Sequence, residues 1–425
     1  TPGLPPWRRL LYKNGIRVYG KNQLCLSISG SPDRVKQMSL LTSYERHILA
    51  AFSEVVLPET KILTERPAEL QLTDRVEHHL SCLSKNLRLL FRLALFLVEG
   101  GALFYRGRPF CFLKTGEKER YLRLWANSFF YGIRLLYKLL ESICFLNYYS
   151  HPQVNEKLGF RPPPIRERRD LPPHVNRSDK DLVYSTAVGV IGSGAGGAVV
   201  ALALAEKGRS VMILEEGDYF SINDFGKEPL EIVQKIYRNA GLQVTLGFPS
   251  ILVPTGRAVG GTTIINSGTC FRLPNKIFER WQKEFGLDDL TPAVLQPYFD
   301  RVEKQLNVQP VTEEVLGNCA RIFRRGLEKM GLHGAPLLRD VRDCKGSGMC
   351  CFGCPTEAKQ SVHLSYIPPA IEKGAQLFTR CRVERIIPRL DHGGEVIGRF
   401  LDSRHQIRVD AKVIVLAAGT LNTPY

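Results

Sequence analysis

The 425-residue chain has no run of about 18 apolar residues, which excludes an evident membrane-spanning helix. Its richest stretch, Leu87 to Tyr105, is interrupted by Arg88, Arg92, Glu99 and the Gly100-Gly101 pair. Internal repeats and long low-complexity tracts are missing as well. With 44% hydrophobic and 24% charged residues, the chain is neither disordered nor collagen-like. At about 150 residues per domain it has room for two or three domains and a large core. An even set of paired cysteines is also lacking: there are 11, four of them within residues 344–354, which is not a secreted disulfide framework. The first residue is Thr1, and no charged and then apolar leader follows it. The true start is therefore expected upstream, or a leader removed, and targeting is not legible, with cytoplasmic or peripheral-membrane placement as the expectation.

Acidic residues are scarce in one part only. Residues 1–180 hold 29 Lys/Arg against 16 Asp/Glu, or +13, while residues 181–425 hold 29 against 26, or +3. No aromatic or zinc module accompanies the basic excess, so nucleic acid is not the expected partner. A surface facing acidic lipid or an acidic electron-acceptor partner fits better, beside the plain alternative of a solvated basic face.

The texture divides the chain into three. Residues 1–158 read as a helical domain. Thr42 to Glu45 resembles a capping box, and Ile48, Leu49, Phe52, Val55 and Val56 follow at helical spacing until Pro58. Two further amphipathic stretches are predicted, from about Arg75 to Val98 and from about Glu117 to Tyr149. Phe129, Phe130, Tyr131 and Arg134 offer a possible in-plane membrane contact. Residues 159–182, with Pro162 to Pro164 and Pro172-Pro173, read as an extended linker. Residues 183–425 alternate β-branched runs, glycine turns and helices, an α/β pattern.

Within that part, the apolar run Ala187 to Ile191 leads into Gly192-Ser193-Gly194-Ala195-Gly196-Gly197 and a helical stretch. This is G-x-G-x-x-G between strand and helix. Gly192 permits the tight turn, Gly194 the approach of backbone to a pyrophosphate, and Gly197 close packing of helix on strand. A second predicted strand, Ser210 to Leu214, ends at Glu215, 23 residues after Gly192, where a ribose hydroxyl acceptor is needed. Gly256 to Asn266 is a second glycine-rich segment, offering bare backbone, hydroxyls and the Asn266 amide. Together they predict a long dinucleotide held at both ends.

This second segment resembles the first signature of the glucose–methanol–choline (GMC) oxidoreductases, and Val413 to Pro424 resembles the start of their second signature. The resemblance implies a Rossmann-like FAD-binding domain after the helical one, with its substrate-binding portion incomplete. The implied flavin contacts are Gly192, Ser193, Gly194, Ala195, Gly197, Glu215, Arg257, Gly260, Gly261, Thr262, Asn266, Gly268, Val383, Ala418 and Gly419. Adenosine would lie near Glu215 and isoalloxazine near Asn266. Cys270 stands where the family usually has an aromatic residue or Ala.

The sequence Cys344 to Pro355 places cysteines at 344, 350, 351 and 354. An iron–sulfur cluster, buried thiols or a disulfide, and zinc are all open readings. The loop resembles that of FAD-dependent glucose dehydrogenases, which implies Cys344, Cys350 and Cys354 as cluster ligands. With Lys359-Gln360-Ser361 it also resembles long-chain alcohol oxidases and cholesterol oxidase-like proteins. The expected activity is oxidation of a lipophilic alcohol by hydride transfer to FAD. Alternatives are a sugar-type dehydrogenase passing electrons through an iron–sulfur cluster to a carrier, and a non-catalytic flavin-binding scaffold. The family's general base is a His paired with His or Asn, expected here beyond Tyr425. The nine His of this chain are expected to be structural or superficial.

Overall fold

Ile48, Leu49 and Phe52, spaced three and four apart, are fully buried along one side of α1 (Ser43–Val56), as the apolar spacing predicts. The computed structural model describes residues 40–57, 60, 62–160, 174–225, 228–245, 247, 251–389 and 392–424. The chain forms two units, Thr1–Thr42, of which only residues 40–42 are described, and Ser43–Tyr425. Most of the proline-rich linker, residues 161–173, lies outside the described residues, as does Pro58.

Each of the two long helical stretches divides in two. The first gives α2 (Leu72–Ser81) and α3 (Lys85–Arg106), separated where Ser84 accepts the Leu87 amide as an N-cap. The Gly100-Gly101 pair does not break α3. A Cβ on Gly101 would stand 2.5 Å from the Tyr121 hydroxyl, so the glycine admits a neighbouring helix rather than ending its own. The second stretch gives α4 (Thr115–Ala126) and α5 (Tyr131–Tyr149). Between them the Arg134 guanidinium holds the Ser128 and Phe129 carbonyls, ending one helix and starting the next. A short α6 (Pro152–Lys157) closes the bundle. Phe91, Leu95, Leu140, Ile143 and Tyr148 fill its core. Two buried carboxylates are paired between α1 and α3: Arg92 grips Glu45 with two nitrogens at 2.6 and 3.2 Å, and Glu99 accepts from the Tyr44 hydroxyl at 2.5 Å. His79 is buried beside Asn147, and desolvation lowers its pKa to about 4.

The α/β part carries a six-stranded sheet. Its strands are β1 (Leu182–Ile191), β2 (Val211–Leu214), β5 (Gln376–Phe378), β6 (Cys381–Pro388), β7 (Gly394–Phe400) and β8 (Gln406–Leu416), in the order β5-β2-β1-β8-β7-β6. β1 runs parallel to β2 and β8, whereas β7 pairs antiparallel with both β6 and β8. β3 (Val308–Pro310) and β4 (Leu338–Asp340) form a separate antiparallel pair. On one face α7 (Ala195–Ala205) packs Ala198, Ala201 and Leu202 against Val188 and Val190. Met212, Leu214, Phe378, Val396 and Phe400 pack on the other. Strands buried on both sides explain the continuous apolar runs of β1 and β2. Arg75 of α2 pairs with Glu228, linking the bundle to the α/β part. Among the described residues no helix is long and apolar enough to cross a membrane.

Candidate functional site

The exits of β1 and β8 lie side by side, because Ala417 donates to the Ile191 carbonyl at 2.9 Å. Gly192 turns there at φ +97°, and a Cβ on it would meet the Ala417 oxygen at 2.5 Å. Five residues on, a Cβ on Gly197 would sit 1.9 Å from the Gly192 oxygen, so α7 can start only this close to the strand without a side chain. Gly194 is the N-cap of α7 and supplies no side-chain cap, while Ala195 is exposed. The first amides of α7 therefore face open space with their dipole uncompensated, an arrangement suited to a phosphate.

The second glycine segment arrives at the same place. Gly260 (φ +95°) and Gly261 (φ +54°) form a left-handed turn, and a Cβ on Gly261 would be 3.0 Å from the Gly194 Cα. The Gly260 amide donates to the Ser193 hydroxyl at 3.1 Å, and that hydroxyl donates to Glu215 at 2.7 Å. Glu215 is buried at the end of β2 and also accepts from the amides of Ser193 at 2.9 Å and Gly217 at 2.7 Å. Burial raises its pKa, and those donors oppose the rise. One carboxylate thus ties both glycine segments and the β2 exit together. Thr262 steadies the turn, its hydroxyl accepting from Gly256 at 3.2 Å.

Other expected residues surround this junction. Cys381 donates to the Glu215 carbonyl at 2.8 Å, which brings the start of β6, and Val383 two residues on, to the β2 exit. Val383 pairs with Gly398 at a register shift in the edge strand. Arg257 is half-buried and its pKa is lowered by desolvation, with Arg238, Arg380 and Arg382 adding to the positive field against Glu216. Burial opposes ionisation of Glu216, yet its ion pairs with Arg238 and Arg382 outweigh it and hold its pKa down. Ala418 and Gly419 (φ +84°) follow directly after Ala417, at the exit of β8 beside that of β1. Asn266 is exposed, with its side-chain oxygen accepting from Gly268 at 3.1 Å.

Sequence reasoning assigned no role to Lys359, which proves central. Almost wholly buried, it donates to the carbonyls of Ile264 at 2.5 Å and of Asn266 and Cys350 at 2.8 Å. It therefore fastens the cysteine loop to the far end of the second glycine segment. Desolvation lowers its pKa to about 8 despite nearby Asp340, whose own pKa burial raises. A buried Lys has no signature in a single sequence; only the Lys359-Gln360-Ser361 likeness drew attention to it.

The three-thiolate centre that the glucose dehydrogenase likeness implies at Cys344, Cys350 and Cys354 is not assembled. Among the described residues no three His, Cys, Asp or Glu converge to hold a metal. Left-handed turns at Gly346, Gly348 and Gly353 send the sulfurs to different neighbours. The Cys350 sulfur accepts from Arg339 at 2.8 Å, that of Cys344 from the Gly346 amide at 3.4 Å, and Cys354 contacts the Thr356 hydroxyl at 3.4 Å. All four cysteines of the loop are free thiols. His363 is buried beneath the second glycine segment, near Tyr219 and Phe225, while His405 pairs with Asp181 at the surface.

Comparison with known proteins agrees with this geometry. Residues 190–228 match the NAD(P)-binding Rossmann-like domain, and residues 233–425 match GMC oxidoreductase. A GMC-type oxidoreductase of Mycobacterium tuberculosis is 34% identical over 379 residues, which cover 88% of this chain and 59% of that protein. A long-chain-alcohol oxidase of Arabidopsis thaliana is 29% identical over 59% of this chain and 35% of its own length. The cholesterol oxidase of Mycobacterium tuberculosis is 26% identical over 56% and 46% respectively. The chain thus spans 59% of the mycobacterial relative's length and less of the other two. On the Rossmann-like core, the two glycine segments and the mycobacterial likeness together, the chain belongs to the GMC oxidoreductase family.

Proposed function

We propose that this chain provides the FAD-binding part of an oxidoreductase that oxidises a lipophilic alcohol, a long-chain alcohol or a sterol, at CH–OH. The observation that carries the reading is the contact of the Gly192–Gly197 and Gly256–Asn266 segments, backbone against backbone at Gly194 and Gly261. A Cβ on Gly261 would crowd the Gly194 Cα from a left-handed backbone, and the extended diphosphate of a dinucleotide needs just such close approach of bare backbone. The uncapped start of α7 would face the diphosphate, with Glu215 and Val383 toward the adenosine and Asn266 toward the ring. Bound flavin supplies the hydride acceptor. The chain's own residues contribute rigidity: Glu215 fixes the first glycine loop through Ser193, and Lys359 fixes the ring-side segment through two carbonyls. The lipophilic substrate class is supported by the likeness to the long-chain-alcohol and cholesterol oxidases.

Purified protein is expected to be yellow, with the two flavin absorption bands and one extractable FAD per chain. Gly261→Val, which places a branched side chain against Gly194 from a left-handed backbone, is expected to give folded, colourless protein. Protein that stays flavin-free after refolding with excess FAD overturns the cofactor reading. If the full-length enzyme's flavin is bleached anaerobically by glucose but not by a long-chain alcohol or a 3β-hydroxysterol, the substrate reading fails alone.

A further inference from the structure

Helix α3 is apolar on both sides. Phe91, Leu95 and Val98 face the bundle, while Leu89, Leu93, Phe96, Leu97, Leu103 and Phe104 recur at spacings of three, four and seven on the opposite side and are exposed. Phe104 is 97% exposed. A helix of this kind ordinarily has a partner on each face. The pairing of Arg106 with Glu117, the stacking of Tyr105 on Tyr121 and the seating of Gly101 against Trp125 set α4 antiparallel to α3. The turn after α4 therefore comes back along α3. That turn carries Phe129, 93% exposed, and Phe130, 68% exposed.

Charge identifies the occupant. From Lys85 to Lys138 there are 11 Lys/Arg and three Asp/Glu, a net +8. Of those acids, Glu99 is buried and Glu117 is engaged with Arg106 and the Lys114 amide. A second copy would set +8 against +8. Residues 1–39 hold seven Lys/Arg and one Asp, the same sign again. Between Leu89 and Phe104 the outer side of α3 is apolar apart from Arg92 on its flank, half-exposed and paired with Glu45. We infer that α3 and the Phe129-Phe130 turn form an in-plane docking face for an anionic lipid bilayer, apolar side chains entering the acyl boundary and the basic rim meeting the headgroups. The inference goes beyond the flavin reading and does not require it, because vesicle binding is measured on the protein with or without flavin.

The test is co-sedimentation of the full chain with vesicles of phosphatidylcholine alone or with phosphatidylserine added. The protein should bind the phosphatidylserine vesicles, and binding should fall steeply as salt is raised. Leu93→Glu/Leu97→Glu and, separately, Arg108→Glu/Arg123→Glu should each weaken binding about tenfold or more, with helical circular dichroism unchanged. All four positions are exposed, so neither variant is expected to unfold the bundle. Absence of binding at low salt, or variants that bind as wild type, overturns the inference. So does a dimer that forms without lipid and is lost in Leu93→Glu/Leu97→Glu.

Discussion

The helical bundle and the α/β part place their functional surfaces in opposite ways. In the α/β part the site is made of backbone: glycines at 192, 197, 260 and 261 remove side chains so that two loops and a helix terminus meet. In the bundle the candidate surface is made of side chains turned outward, apolar ones from α3 with exposed basic residues such as Arg108 and Arg123 around them, while Glu45, His79, Glu99 and Asn147 lie buried within. A flavin-type ligand needs close approach and fixed donors, whereas a bilayer needs only area and charge.

This contrast is sharpened by substitutions on the two sides of one helix. Phe91→Ala, inside the bundle, is expected to cost about 3–5 kcal/mol, through lost burial and the cavity left behind, measured by urea unfolding. An effect below about 1 kcal/mol would mean that the inner face is not the packed one. Next in size are two buried bases. His79 titrates near 4 when folded and near 6.5 when unfolded, so the unfolded chain takes up the proton first as pH falls. Stability should therefore drop between about pH 6.5 and 4, by on the order of 3 kcal/mol. Lys359 titrates near 8 when folded against 10.5 when unfolded, so stability should rise as pH increases across that window. His79→Phe should flatten the acid window only and Lys359→Met the alkaline one only; a variant that moves both windows would break the separation of the two regions. Smallest of all, Leu93→Ala on the outer face should change stability by no more than about 0.5 kcal/mol in the absence of lipid.

Much of the site was legible because its physics is local. A glycine that must adopt positive φ, or let a strand and helix touch, can be nothing else, so Gly192, Gly197 and Gly260 stand out in the sequence. Its distance after Gly192 singles out Glu215 in the sequence, whereas its attachment to Ser193 and Gly217 appears only in the structure. The cysteine loop left cluster, thiols or disulfide, and zinc all open because spacing counts residues but does not orient sulfurs. Three left-handed glycines decide the directions, and they send Cys350 to Arg339. Helix boundaries failed where their causes were distant or small: Tyr121 explains why Gly101 lies within α3, and Arg134 explains the break before α5.

By itself, the sequence determined the order of a helical part and a Rossmann-like part, the family, and the glycine cradle, since each rests on periodicity or on conformations that one residue type alone adopts. Tertiary structure decided that Lys359 is the buried fastener of the site, that the loop cysteines do not converge, and that one apolar side of α3 faces outward. Those outcomes depend on which atoms meet across dozens of residues, and a linear pattern of apolar and polar positions does not encode such meetings.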